Sequence, residues 1–365
     1  MGWAAARTGR PGEGRELPMT DSPADRVRQL TELPVWVAPM AGGPSTPDLV
    51  IAAGRSGALG FLAGGYQTAG ALQAEISAVR AAGVRGFGVN LFVPGAPAGD
   101  PDSVSAYVAS LREEARPLGA EPGDPSWDDD HWADKIAVLL ASRPPVVSFT
   151  FGCPPADVLR GLQAGGTLVA VTVTDPAEAA SAAAAGADLL CVQGPEAGAH
   201  RGTFTNPPGR VQDGDGPGLL ALIGEVAAVT DLPLVAAGGI ADARAATAAL
   251  AAGAVGIQAG TAFLRCPESG AHPVHKAALA DPRFTSTAVT RAFSGRPARA
   301  LVNEFVLGHP AAPAAYPEIN NATRPLRAAA GASGNPDRMS LYAGQGFRSA
   351  SERPAAEIIR QLGRC

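Results

Sequence analysis

Eight short runs, apolar on both faces, recur along this chain with helix-like segments between them. They cover residues 35–40, 58–62, 87–93, 146–151, 168–173, 189–192, 234–237 and 255–258. A half-exposed antiparallel strand alternates polar and apolar side chains, whereas a strand covered on both faces reads as a continuous apolar run. The segments between suit helices. Residues 68–82 carry Leu72, Ile76 and Val79 at helical spacing. Residues 176–185 are nearly all alanine, with Asp175 as cap and Pro176 in the first turn. Residues 242–252 start at Asp242 and stop before Gly253. Alternating βα units imply a parallel sheet with right-handed crossovers. A count of eight favours a closed TIM (β/α)8 barrel over an open doubly wound sheet.

The barrel is expected over residues 31–264. Residues 1–30 read as a poorly ordered tail, without the apolar core of a signal peptide in residues 1–18 and with Met19 as an alternative start. Two stretches are too long for simple connections. One is an insertion at about 94–145, with an acidic patch at Asp128, Asp129 and Asp130. The other is 265–345, rich in Pro and Ala, expected as a lid or small second domain. Residues 346–365 are assigned to a C-terminal helix.

With 46% hydrophobic and 17% charged residues, the chain has ample material for a core. A net charge of −5 argues against a nucleic-acid binder or a polybasic membrane-surface protein. The four cysteines form no CxxC, so structural zinc and a disulfide framework are poorly supported. No apolar run approaches the roughly 18–20 residues of a membrane span, and a cytoplasmic location is the default. Only two of the 29 basic residues are lysines, Lys135 and Lys276, so a lone Arg here carries less information than usual. Nothing in the sequence sets an oligomeric state.

Barrel active sites lie at the carboxyl ends of the strands. Polar and glycine residues collect there: Met40 after the first run, Asn90 in the third, Gln193 through Gly202 after the sixth, Gly238 and Gly239 after the seventh, Gly260 and Thr261 after the eighth. The last two sites form the most specific pattern. Glycines let backbone N–H groups approach an anion, a helix N-terminus adds a favourable dipole, and phosphate sites at strands 7 and 8 recur in barrels. A tight turn at Gly238–Gly239 is the plainer alternative. His200 sits in a Gly-rich stretch with Glu196 four residues before it, and alone of the five histidines it falls at this rim. A neutral or protonated imidazole there suits a general base or a stabiliser of negative charge near a cofactor.

Other features carry less. His272 and His275, with Cys266 nearby, lack a further metal ligand, so no metal is expected. Cys153 reads as a packing residue. Arg291, Arg296 and Arg299, flanking Phe293–Ser294–Gly295, read as a solvated basic face. No G-x-S-x-G and no Walker A sequence occurs.

The motifs resemble those of the flavin-dependent nitronate monooxygenases, first class. The matching pieces are APMAGGPSTPDL at 38–49, GFGVNLFVP at 86–94, VVSFTFGCP at 146–154, CVQGPEAGAHRG at 191–202, AAGGI at 236–240, QAGT at 258–261 and LYAGQG at 341–346. The resemblance spans about residues 31–348. It implies an FMN-binding TIM barrel with a small second domain. By motif match Asn90, Gln193, Gly198, Gly239 and the stretch Gln258, Ala259, Gly260, Thr261 contact FMN, with Gly238 beside them and Met40 against the flavin. His200 takes the place of the catalytic histidine. The implied substrates are a nitronate, commonly the toxic anion propionate 3-nitronate, and O2, with no metal or nicotinamide needed; the implied role is detoxification. One departure is Ala199, where the family commonly has a second consecutive glycine before the histidine. That puts the loop's backbone geometry in question. Two other readings compete: an FMN-dependent NAD(P)H oxidoreductase acting on a quinone or enoyl thioester, and a non-catalytic flavin- or phosphate-binding barrel.

Overall fold

A computed structural model describes residues 22–209 and 216–364. The strands are β1 (Val35–Val37), β2 (Leu59–Ala63), β3 (Phe87–Phe92), β4 (Val146–Thr150), β5 (Leu168–Val173), β6 (Leu189–Gln193), β7 (Ala199–His200), β8 (Leu234–Ala237), β9 (Gly256–Ala259), β10 (Thr287–Thr290) and β11 (Ala298–Leu301). A closed parallel barrel runs β1-β2-β3-β4-β5-β6-β8-β9. It shuts where β1 meets β9, with Trp36 opposite Gln258. This is a TIM barrel. Its eight strands fall on the eight apolar runs, although β1 stops at Val37 and residues 38–40 turn away. Ala38 keeps one ladder bond there, to the Ala259 carbonyl at 2.9 Å.

The helices start where local chemistry says they should. Asp175 accepts from the Glu178 N–H at 2.8 Å with Pro176 in the first turn, and Asp242 accepts from the Ala245 N–H at 2.9 Å. Each satisfies an N–H that the helix itself leaves unpaired. Val35, Val37, Val171, Val192 and Ile257 belong to one buried cluster with Leu222 and Ile223 of the helix Leu219–Ala227. Trp36, Leu59, Phe61, Val146, Leu168 and Leu189 form a second.

The tail expected over residues 1–30 needs correction at its end. Pro23–Leu30 is a helix capped by Ser22, and its Val27 packs into the cluster of Trp36 and Phe61. Covering the barrel's amino end removes apolar area from water, which a free tail cannot do. Residues 1–21 lie outside the described residues.

The two long stretches pack on each other. Val104, Tyr107 and Leu111 of the helix Pro101–Ala115 share a core with Phe293, Phe305, Ile319 and Leu326. The Tyr107 hydroxyl donates to the Ala292 carbonyl at 2.7 Å. β10, β11 and β7 form a small antiparallel sheet. So His200, expected in a loop, is instead tied by strand pairing to the segment around residue 298, directly over the barrel mouth. The last helix is Ala355–Leu362. Among the described residues no helix is long and apolar enough to cross a membrane.

Candidate active site

One chamber of about 530 Å³ opens at the carboxyl ends of the barrel strands, a size typical of small-molecule and cofactor sites. It is lined by Met40, Asn90, Gln193, Gly198, His200, Gly238, Gly239, Gln258, Ala259, Gly260 and Thr261, so the residues singled out in the sequence meet around one space.

At one end the wall is backbone. Gly238 and Gly239 follow β8 with φ of +113° and +68°, a region that L side chains avoid. A Cβ on Gly238 would stand 3.1 Å from the Gly194 carbonyl, and one on Gly198 only 2.5 Å from the Gly344 nitrogen. That second approach explains the late LYAGQG motif. Gly344 donates to Thr261 Oγ1 at 2.9 Å and Gln345 donates to the Glu196 carbonyl at 3.0 Å. The motif therefore closes over the ends of β6 and β9. Glu196 itself caps the helix Leu219–Ala227, accepting from the Leu219 N–H at 3.1 Å. On the chamber floor Asn90 donates to the Ser148 hydroxyl at 2.9 Å and to Thr150 at 3.1 Å, while Gln258 accepts from the Cys191 thiol at 2.9 Å.

At the other end the wall is side chains around His200. Its Nε2 lies 2.8 Å from Ser294 Oγ. The Ser294 hydroxyl donates to the Arg296 carbonyl at 3.2 Å. With its hydrogen directed there, Ser294 accepts from the imidazole, which leaves Nδ1 with the lone pair. The rings of Phe151, Tyr316 and Tyr342 stand 5.5–5.6 Å from the imidazole. Burial first, then the Arg296 and Arg327 charges, pushes the His200 pKa down to about 3. The imidazole is therefore neutral, which removes the cationic alternative left open by the sequence. Positive charge comes from Arg324 and Arg327 of the helix Glu318–Ala332, and no aspartate or glutamate lines the chamber among the described residues.

Ala199 has φ of +61°. The backbone shape that a glycine would adopt freely is kept, with an alanine held in it. Gln193 does much of the holding: its Nε2 donates to the His200 carbonyl at 3.0 Å and its Oε1 accepts from the Gly202 N–H at 2.8 Å.

Two expectations fail here. Arg291, Arg296 and Arg299 are buried, not a solvated face. Arg299 donates to the Pro195 carbonyl at 2.9 Å, Arg296 to that of Thr203, and Arg291 to those of Pro207 and Gly209 at 2.8 and 2.6 Å. The His200 segment turns sharply and leaves carbonyls without ladder partners; a guanidinium with five donors satisfies several at once. Nor is His200 the sole histidine at the rim. His272 and His275 also line the chamber, brought there by the short helix Pro273–Ala278. Among the described residues no group of three or more His, Cys, Asp or Glu could hold a metal. Cys153 is half-buried against the barrel core, and burial pushes its thiol up to about 11.

Sequence reasoning missed Ser294, Tyr66, Tyr316, Tyr342, Arg324 and Arg327. A usable signal existed for the tyrosines: the chain has only four, and three of them gather around His200.

The family profile described as nitronate monooxygenase matches residues 26–364. A nitronate monooxygenase of Pseudomonas aeruginosa is 42% identical over 93% of this chain and 98% of its own length. A probable nitronate monooxygenase of Bacillus subtilis is 36% identical over 90% and 94%. Among solved structures, a nitroalkane oxidase from Streptomyces ansochromogenes superposes with a TM-score of 0.89 at 48% identity, covering 92% of this chain and 96% of that one. FabK from Thermotoga maritima follows at a TM-score of 0.70 and 28% identity, over 92% and 94%.

Proposed function

The chain belongs to the nitronate monooxygenase family and is an oxidoreductase; from that premise we propose that it binds FMN and oxidises alkyl nitronates, such as propionate 3-nitronate, with O2. The role that follows is removal of a toxic anion. The observation that carries the reading is the charge of the chamber: two guanidinium groups and no carboxylate among its described lining residues. Such a space favours an anionic substrate and an anionic cofactor.

The residues present fit FMN. Gly238 and Gly239 leave open a cradle that a Cβ would fill, and Gly260 with Thr261 completes it from the neighbouring strand. That is a single-phosphate site without the longer dinucleotide fingerprint. Asn90, Gln258 and Met40 would lie under the ring, and the nitrogen of Asn90 is already committed to Ser148 and Thr150. When bound, the flavin supplies an acceptor for the substrate's electron pair and a route for those electrons to O2.

The protein's own part is orientation and proton handling. Arg324 and Arg327 draw the anion in. His200, neutral and held by Ser294 through Nε2, offers Nδ1 as the base for a substrate that arrives as the neutral nitroalkane. A preformed nitronate needs no base. The deciding experiment is anaerobic: propionate 3-nitronate or NADPH is added to purified enzyme and the flavin spectrum is followed. Bleaching by the nitronate and not by NADPH is expected. Rapid bleaching by NADPH overturns the reading in favour of an NAD(P)H oxidoreductase. Release of FAD on denaturation, or failure to take up FMN, overturns the cofactor assignment.

A further inference from the structure

A second cavity of about 400 Å³ adjoins the chamber, and Tyr66, Phe92, Asn320 and Arg324 line both. Tyr66 is therefore the threshold between them. Its hydroxyl accepts from the Tyr316 hydroxyl at 3.0 Å, and Tyr316 stacks edge-on to His200 at 5.6 Å. With Tyr316 as donor, the Tyr66 hydrogen has no partner among the described residues and is left free for a ligand in the chamber that Tyr66 lines together with His200, Arg324 and Arg327.

Tyr66 does not hold this position by preference. Its φ is +66°, where L side chains are rarely found. What pins it is Asp130, whose two carboxylate oxygens accept from the Tyr66 N–H at 3.1 and 3.3 Å. Asp130 and the following His131 are themselves left-handed, at φ of +54° and +57°. Asp130 pairs with Lys135 Nζ at 2.8 Å, and that lysine is 1% exposed. Strained non-glycine residues persist only where their surroundings over-determine them, and they cluster at functional sites. Here three of them lie at one ion pair whose lysine is buried, outside the barrel, behind one active-chamber hydroxyl.

We propose that Tyr66 is a substrate-binding residue, donating its hydroxyl hydrogen to an oxygen of the nitro or nitronate group, and that Asp130 is the positioning residue that holds it there. The acidic patch of the 94–145 segment, otherwise without a role, then belongs to the site at one remove. The inference rests on the function proposed above for the identity of the substrate. Its test therefore includes a binding measurement that needs no turnover.

Nitrate, a planar oxyanion of nitrogen that the enzyme has no means to oxidise, serves as the probe. Flavin-loaded wild type and the variants Tyr66→Phe, Asp130→Ala and the double variant are titrated with nitrate by calorimetry, and kcat/KM for a nitronate is measured alongside. Loss of a hydrogen bond to a charged group predicts nitrate binding and kcat/KM weaker by roughly 10- to 100-fold in Tyr66→Phe. Asp130→Ala is expected to lose part of the same amount, and the double variant to be no worse than Tyr66→Phe alone, because both remove one interaction. A purely structural Asp130 would instead add its effect in full. If Asp130→Ala fails to fold because it strands the Lys135 ammonium, Asp130→Ala with Lys135→Met removes both charges and enters the same cycle. Unchanged nitrate binding and kcat/KM in Tyr66→Phe overturns the donor role, as does a wild type that does not bind nitrate. Additive losses overturn the positioning role. Tyr66-dependent nitrate binding without nitronate oxidation leaves this inference standing and overturns the function.

Discussion

The two ends of the chamber are built in different ways. The end at β8 and β9 is main chain, lined between residues 237 and 261 with Gly238 and Gly239 in conformations that other residues avoid. The end at His200 is side chain, gathered from Tyr66, Phe151, Ser294, Tyr316, Arg327 and Tyr342. A backbone cradle tolerates no side chain but asks little of distant sequence. A side-chain cluster tolerates conservative change at each member but depends on the whole fold to assemble it. The first end suits a ligand that stays, the second a ligand that comes and goes.

If that division holds, His200→Asn separates the two ends with the largest effect. A preorganised group acting on developing charge is commonly worth roughly 10²–10³ in rate, so turnover should fall by that factor while the flavin spectrum stays. Oxidation of the neutral nitroalkane should fall further than that of the preformed nitronate, since only the former needs a base. Oxygen uptake with both substrate forms decides it; near-normal rates on both with flavin bound would make His200 a bystander.

Gly239→Asp attacks the other end. Its Cβ would lie 3.1 Å from that of Glu196, and on the proposed assignment it adds a carboxylate beside the FMN phosphate. At the effective dielectric of a partly buried pair, repulsion on this scale weakens FMN binding by roughly 10- to 100-fold. Flavin-fluorescence titration of the apoprotein reads this directly. Full retention of FMN would place the phosphate elsewhere and end the comparison.

The same division explains what could be read in advance. Strands, crossovers and glycine turns are local patterns, so the barrel and the residues from Gly238 to Thr261 were visible in the sequence. Arg291, Arg296 and Arg299 look identical, as letters, to a solvated cluster; only the fold shows that they face the carbonyls of the His200 segment. Ser294 sits among them and is brought to His200 because β11 pairs with β7, a contact nearly 100 residues apart in sequence. No periodicity announces a two-residue strand. The helix Pro23–Leu30 was missed for a related reason: one buried residue, Val27, is too little pattern to mark a face.

Acid sensitivity gives a smaller effect. The pKa of His275 is pushed down to about 4 by burial first, and that of His200 to about 3, against about 6.5 in an unfolded chain. Between these values the unfolded chain binds protons that the native one refuses. Stability from both groups is complete above about pH 6.5 and is lost as pH falls toward 4 and then 3. Glu178, whose carboxyl burial holds above its usual range, works in the opposite direction, so the comparison must be made between proteins at each pH. The urea midpoint should fall less between pH 7 and pH 5 in His275→Gln than in wild type. Parallel curves for the two proteins would show that His275 titrates normally and that burial does not hold its pKa down.

The smallest effect tests the one place where the two building styles overlap. Ala199 lies at the side-chain end but adopts a glycine conformation, with φ of +61°. Left-handed backbone costs a non-glycine residue about 1–2 kcal/mol. Pairing of Ala199 with Arg299 and of His200 with Ala298, plus the Gln193 bond to the His200 carbonyl, holds it there. Ala199→Gly removes the strain but gives the unfolded chain more freedom, which takes back about 0.4–1 kcal/mol. The net gain lies between zero and about 1.6 kcal/mol, which for a chain of this size raises the Tm by at most roughly 2 °C. Turnover should be unchanged, because the constraints on His200 come from its partners and not from the residue before it. Gly238→Ala makes the converse change at the backbone end, where a Cβ meets the Gly194 carbonyl at 3.1 Å as well as the wrong φ, and should destabilise. If Ala199→Gly lowers the Tm or slows turnover, the alanine is itself a determinant of the loop's shape. The His200 end would then depend on local backbone as much as the glycine end does.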